Sequence, residues 1–258
     1  MVHQQLPDPT NWKSRPALIP FAVLIAAVIS VYCAFETVDA IAASDVTSAT
    51  VASMFATGIT AFVASIAVGK LGSETLRAEA STAGTTFRSH PVAMALLFVA
   101  FLALVICSAA SVTGYLAGKT ISIVPEGKEF KAFFAMSNVL LLSLYGTVAV
   151  ASRGHKTFLR LSADRVEYAD VRRTRAVPWD RIEDIVDIAP RIRAHHPAVL
   201  RSKGSDDRLV IHHLDGYVPH GATLYWMIRH YWLHPENRHE LEDGTALERL
   251  RLQDFSPE

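Results

Sequence analysis

The sequence predicts an α+β membrane protein: a four-helix transmembrane bundle followed by a small antiparallel β domain that ends in a C-terminal helix. Three observations carry this expectation. Four long apolar stretches precede residue 152, each of the length needed to cross hydrocarbon as a helix. Charge is pushed to the other end of the chain: residues 1–152 hold 8 basic and 8 acidic side chains, and residues 153–258 hold 17 of each. Beyond Ser152 the apolar runs become short and alternating, then switch to helical spacing. The chain therefore divides into a four-span region, 1–152, and a polar domain with a helical tail, 153–258.

The spans are Pro16–Phe35, Thr47–Gly69, Pro91–Ala117 and Ala132–Ala151, and none has Asp, Glu, Lys, Arg or His in its core. In lipid every backbone group must be paired within its own segment, so each reads as a helix. The first reads as an uncleaved span: the run is too long for a leader's apolar region, and Tyr32 before Cys33 spoils a lipoprotein-type cleavage site.

Basic residues in short loops set orientation. Lys13 and Arg15 flank the first span, Lys70, Arg77 and Arg88 lie between the second and third, and Arg153, Lys156 and Arg160 follow the fourth. The first loop, Glu36 to Val46, has Glu36, Asp39 and Asp45 and no basic residue. The expected arrangement is multi-pass in the cell membrane with both termini cytoplasmic. Lys119, Lys128 and Lys131 in the third loop run against it, accompanied by Glu126 and Glu129.

Small residues recur every four positions along the second span, at Ala49, Ser53, Thr57, Ala61 and Ser65, with a looser series Ala103, Cys107, Ser111, Gly114 and Gly118 along the third. Such faces let helix backbones approach closely, so they are assigned to helix packing, within the bundle or against a second copy or membrane partner. A hydrated path would need polar linings such as Ser53, Thr57, Thr60 or Asn138. Intramembrane charge, the usual mark of transport, is missing.

In the polar domain, strands are expected at Phe158–Leu161, Arg165–Tyr168, Val171–Trp179, around Ile182 to Ile188, and at Ala198–Leu200 and Arg208–Ile211. Thr223–Leu233 puts Leu224, Met227, Ile228 and Tyr231 on one helical face ended by Pro235, and Ala246–Leu252 forms a last short helix. The segment FLRLSADRVEYADVRRTRAVPWDRIEDI, with Val177, Pro178, Trp179, Asp180 and Ile182, resembles the bacterial pleckstrin-homology-like domains attached to membrane spans. The tail LYWMIRHYWLHPENRHEL looks like the end of such domains in uncharacterised actinobacterial membrane proteins. The resemblance covers roughly 153–233 and implies a small antiparallel sheet capped by a C-terminal helix, a fold that often docks lipids or proteins.

From Arg153 to Lys203 there are 12 basic and 7 acidic residues. Arg172, Arg173 and Arg175 on one hairpin, with Arg191 and Arg193, are the candidate surface for anionic membrane lipids or an acidic partner. With 25 basic and 25 acidic residues overall there is no field for nucleic acid, and none is expected as partner. Histidines cluster late, at His195, His196, His212, His213, His220, His230, His234 and His239. His230 and His234 have metal-compatible spacing, but adjacent strand histidines point to opposite faces. No metal, cofactor or catalytic residue is assigned, since no nucleophile elbow or phosphate loop occurs. The sequence thus points to a non-enzymatic membrane protein anchoring a docking domain, with a small transporter or channel subunit as the alternative.

Overall fold

The long helices form where the chain has no other way to pair its backbone in lipid. The computed structural model describes residues 6–12, 18–71, 76–119, 121–122, 124, 127–153, 156–170, 173–188, 196–204, 208–219 and 221–256. Four helices, α1 (Leu18–Ala42), α2 (Val46–Leu71), α3 (Pro91–Leu116) and α4 (Glu129–Arg153), are long and apolar enough to cross a membrane.

The acidic first loop shrinks to three residues. Glu36 and Asp39 lie in the last turns of α1, because Phe35 to Ile41 contains neither Gly nor Pro to stop the helix. The stop comes at Ser44, in the left-handed region at φ 58°. Asp45 then caps α2, its Oδ1 accepting from the Thr47 and Ser48 amides at 3.1 Å each.

The helix-packing face expected on α2 is only partly the one observed. Ala61 and Ser65 are buried, Ala49 and Ser53 are half-buried and Thr57 is exposed. The buried line runs instead through Ser48, Val51, Ala52, Gly58, Ala61 and Ser65. A helix turns every ~3.6 residues, so four steps of four drift by about 160° and leave the face. On α3 the steps of three and four hold the line, and Ala103, Cys107, Ser111 and Gly114 are all buried. The Ser53 and Thr57 hydroxyls and the Asn138 amide donate to carbonyls one turn back, and Thr60 meets Ser30 at 2.8 Å.

Gly146 of α4 sits against the Phe101 ring of α3, where an added Cβ would lie 2.6 Å from the ring. Gly146→Val is expected to cost about 1–3 kcal/mol by overpacking, read as a lower midpoint of the helical circular-dichroism signal in detergent.

The polar unit draws on three parts of the chain, 1–14, 69–90 and 156–258, so it is not confined to the residues after 152. Its first sheet is an antiparallel ribbon in the order β1 (Ala78–Ser81), β2 (Gly84–Arg88), β3 (Phe158–Leu161), β4 (Arg165–Ala169), β5 (Thr174–Pro178). The link between α2 and α3, expected as a plain loop, supplies β1 and β2. Register places Thr85 opposite Leu161 and Phe87 opposite Leu159. The hairpin turn needs Gly84 at φ 113°, where a Cβ would collide with the Leu161 carbonyl.

The second sheet is β6 (Ile182–Val186), β7 (Ala198–Ser202), β8 (Arg208–Ile211). Its apolar residues are spaced by three, not two, and a register shift between Ile182 and Asp184 resolves this. The extra residue turns both Ile182 and Ile185 inward, where both are buried. Helices α5 (Ala222–Leu233), α6 (Glu240–Asp243) and α7 (Thr245–Leu252) follow. One continuous core joins Phe87, Leu159 and Val166 of the first sheet, Ile185, Leu200 and Ile211 of the second, and Leu224, Ile228 and Tyr231 of α5. Thr85 donates to the Leu241 carbonyl at 2.7 Å, fixing the hairpin to α6.

Two half-buried imidazoles make the unit acid-sensitive. Burial, then the Arg77 guanidinium, holds His90 below the ordinary histidine range, and burial, then His213, does so for His212. The folded state therefore binds fewer protons than the unfolded chain. Their contribution is fully present above about pH 6.5 and is lost as pH falls below it. The thermal midpoint should drop between pH 7.5 and pH 5, and His90→Gln with His212→Gln should flatten that slope.

Candidate partner-binding surface

Of the five arginines singled out in the sequence, Arg172, Arg191 and Arg193 lie outside the described residues. Arg173 is exposed at the β4–β5 turn, its amide donating to Asp170 Oδ1 at 2.7 Å. Arg175 is half-buried and donates from Nη1 to the Arg208 carbonyl at 3.0 Å, tying β5 to β8. The structure thus gives one of the two described residues a bridging place in the fold. Nearby, Arg160 and Arg165 both reach Glu167, at 3.5 and 2.9 Å.

A different surface is more built. Residues 6–12 lie as an irregular strap over the end of β6, the start of β7 and the first turns of α5. The local sequence permits little else: Pro7 and Pro9 disfavour a helix, while Leu6 and Trp12 supply apolar anchors. Asn11 grips Asp187 twice, its amide donating to Oδ2 at 2.9 Å and its Nδ2 to Oδ1 at 2.8 Å. The Trp12 indole stacks on His196 at 4.6 Å and 20°, and meets Tyr225 edge-on at 5.8 Å. Its Nε1 donates to the Pro197 carbonyl at 3.2 Å.

The domain side reaches back. Trp226 Nε1 donates to the Pro7 carbonyl at 2.8 Å, and Gln253 Oε1 accepts the Leu6 amide at 3.2 Å. Beneath the strap, His196 Nδ1 lies 3.4 Å from the nearly buried Asp215 carboxylate. The Tyr225 hydroxyl donates to Ile185 O at 3.3 Å, and burial, then Asp187, raises its pKa. The groove therefore offers one buried carboxylate, one aromatic slot and one indole donor to an extended chain.

The bidentate contact to Asp187 is charge-assisted and contributes about 1.5–3 kcal/mol per bond; the ring stack adds about 0.5–1.5. Trp12→Ala is expected to speed exchange of the strap amides at least ~10-fold, the equivalent of ~1.4 kcal/mol. Hydrogen exchange with mass spectrometry reads this, and unchanged protection would show that Trp12 does not hold the strap.

The strap has almost no signature in the sequence. Its only signal was a lone Leu and Trp in an otherwise polar flank, which fixes no partner. Among the described residues the histidines meet at most in pairs. The His230 and His234 rings lie 4.6 Å apart, tilted at 37°, His230 contacts Asn237 and His234 contacts Glu236. Among the described residues no three His, Cys, Asp or Glu side chains converge as a metal set; His195 and His220 lie outside the described residues.

No protein-family model, no curated protein and no solved structure matches this chain.

Proposed function

We propose that this chain is a non-enzymatic multi-pass membrane protein whose polar unit is a docking module for an extended segment of a protein partner. The observation that carries the reading is the groove between β6–β7 and α5, which holds residues 6–12 through Asp187, Trp226 and the Trp12 slot. A surface that binds one extended segment by backbone and side-chain bonds has the chemistry to bind another. Antiparallel strands followed by a C-terminal helix, as the resemblance implies, support a pleckstrin-homology-like module. Exposed Arg173 at the hairpin tip supports contact with an anionic leaflet.

Chain connectivity supports both termini on one side. Residues from 1–14, 69–90 and 156–258 belong to one unit, which favours α1 with α2, and α3 with α4, crossing as pairs. The basic flanks of the first and fourth spans favour the cytoplasmic face of the plasma membrane.

The test is copurification from native membranes in mild detergent. Trp12→Ala, which frees the groove, should raise recovery of the partner, and Asp187→Ala with Trp226→Ala should lose it. If recovery of every associated protein is the same in all three, the docking reading fails.

A further inference from the structure

Helix α4 has two opposite faces. Ser143, Gly146 and Val150 are buried, on the side where Gly146 meets Phe101 of α3. Phe134, Asn138, Leu141, Tyr145, Val148 and Ser152 are all exposed. Steps along this second line alternate between four and three residues. That is the spacing of a coiled-coil seam, with Asn138, Tyr145 and Ser152 at one heptad position.

Asn138 is the side chain that lipid does not suit. It is nine residues into α4, roughly 14 Å along the helix and roughly 22 Å from its far end. Centred in a hydrocarbon core about 30 Å thick, the helix holds this residue beyond the reach of water. One N–H of its Nδ2 donates to the Phe134 carbonyl at 2.8 Å. The carboxamide has a second N–H and an oxygen with two acceptor sites, and neither bonds to any described residue. Lipid tails pair with neither group, so both carry the cost of lost hydration.

A second copy of the chain supplies what is missing. Two copies inserted in the same orientation are related by an axis along the membrane normal, so their α4 helices run parallel and meet at equal depth. Asn138 then faces its own counterpart. A carboxamide is self-complementary: the free N–H of each donates to the Oδ1 of the other, and symmetry makes the bond twice. Phe134, Leu141 and Val148 supply the apolar knobs on either side. Lys131, one heptad before Asn138, lies at the end of α4, where its long stem carries the charge into solvent.

From this arrangement we infer that the chain forms a parallel homodimer through the exposed face of α4, held in register by a hydrogen-bonded pair of Asn138 side chains. The inference concerns the spans alone and does not rest on the docking reading.

Sedimentation equilibrium of the full chain in detergent should show a reversible dimer. Asn138→Leu should weaken it at least ~5-fold, the loss expected for an interhelical amide pair in hydrocarbon. Asn138→Gln keeps the carboxamide and should keep the dimer. The residue is exposed, so the midpoint of the helical circular-dichroism signal should be the same in both variants. In native membranes, Asn138→Cys and Leu141→Cys should each give a disulfide-linked dimer under mild oxidation. Leu24→Cys, exposed on α1, should not, and neither should the parent, whose Cys33 and Cys107 are buried. A parent that stays monomeric at every concentration overturns the assignment. So does association unchanged by Asn138→Leu, or cross-linking through Leu24→Cys as strong as through Asn138→Cys.

Discussion

Replacing Phe87 by Ala is expected to lower the stability of the polar unit by about 3–5 kcal/mol, although the residue sits in the link between two membrane-length helices. Its ring is fully buried in the same core as Leu159, Val166 and Tyr231. The chain has four tryptophans, Trp12, Trp179, Trp226 and Trp232, and all belong to the polar unit. Tryptophan fluorescence during urea unfolding in detergent therefore reports on that unit alone. Arg88→Ala is the control: Arg88 is exposed, and its contact with Glu79 at 3.8 Å is a surface pair, so the change should stay within about 0.5 kcal/mol. A Phe87→Ala variant as stable as the parent would mean that the hairpin is not part of the sheet.

Trp179→Ala should be as severe, about 3–5 kcal/mol, and Trp179→Phe separates its causes. The indole is 2% exposed, and Nε1 donates to the Ser162 carbonyl at 2.8 Å across the β3–β4 turn. Arg238 lies over the ring at 5.2 Å while its Nε donates to the Tyr231 carbonyl at 2.7 Å. The residue thus links the end of β5, the β3–β4 turn and the last turn of α5. Phe restores most of the buried area but leaves the Ser162 carbonyl without its donor, at about 1–3 kcal/mol. If Phe and Ala are equally destabilising, the hydrogen bond dominates and packing of the ring does not.

These two residues show why the sequence was legible in one place and silent in the other. Trp179 follows an alternating run and a proline, so its place at a strand end could be read locally. Phe87 belongs to a five-residue strand whose partner, β3, begins at Phe158, with α3 and α4 between them. No local pattern encodes a pairing over that separation; register is fixed only when the hydrophobic face finds its core. The strap is the same case. Asn11 meets Asp187 and Trp12 meets His196 only after the fold brings them together. The arginine cluster shows the converse, since composition placed Arg173 and Arg175 on one hairpin but did not foresee that Arg175 would bond β8.

By itself the sequence determined the four helices of membrane-crossing length, because backbone pairing in hydrocarbon leaves an apolar run of about 20 residues no alternative. It also determined the strand and helix order after residue 156, because period-two and period-3.6 burial are local properties. Only the tertiary structure decided that the polar unit recruits the N-terminal strap and the β1–β2 hairpin, and which face of α2 is buried. Each of these depends on contacts between residues distant in the chain, and such contacts form by shape and by the pairing of polar groups, which no local repeat records.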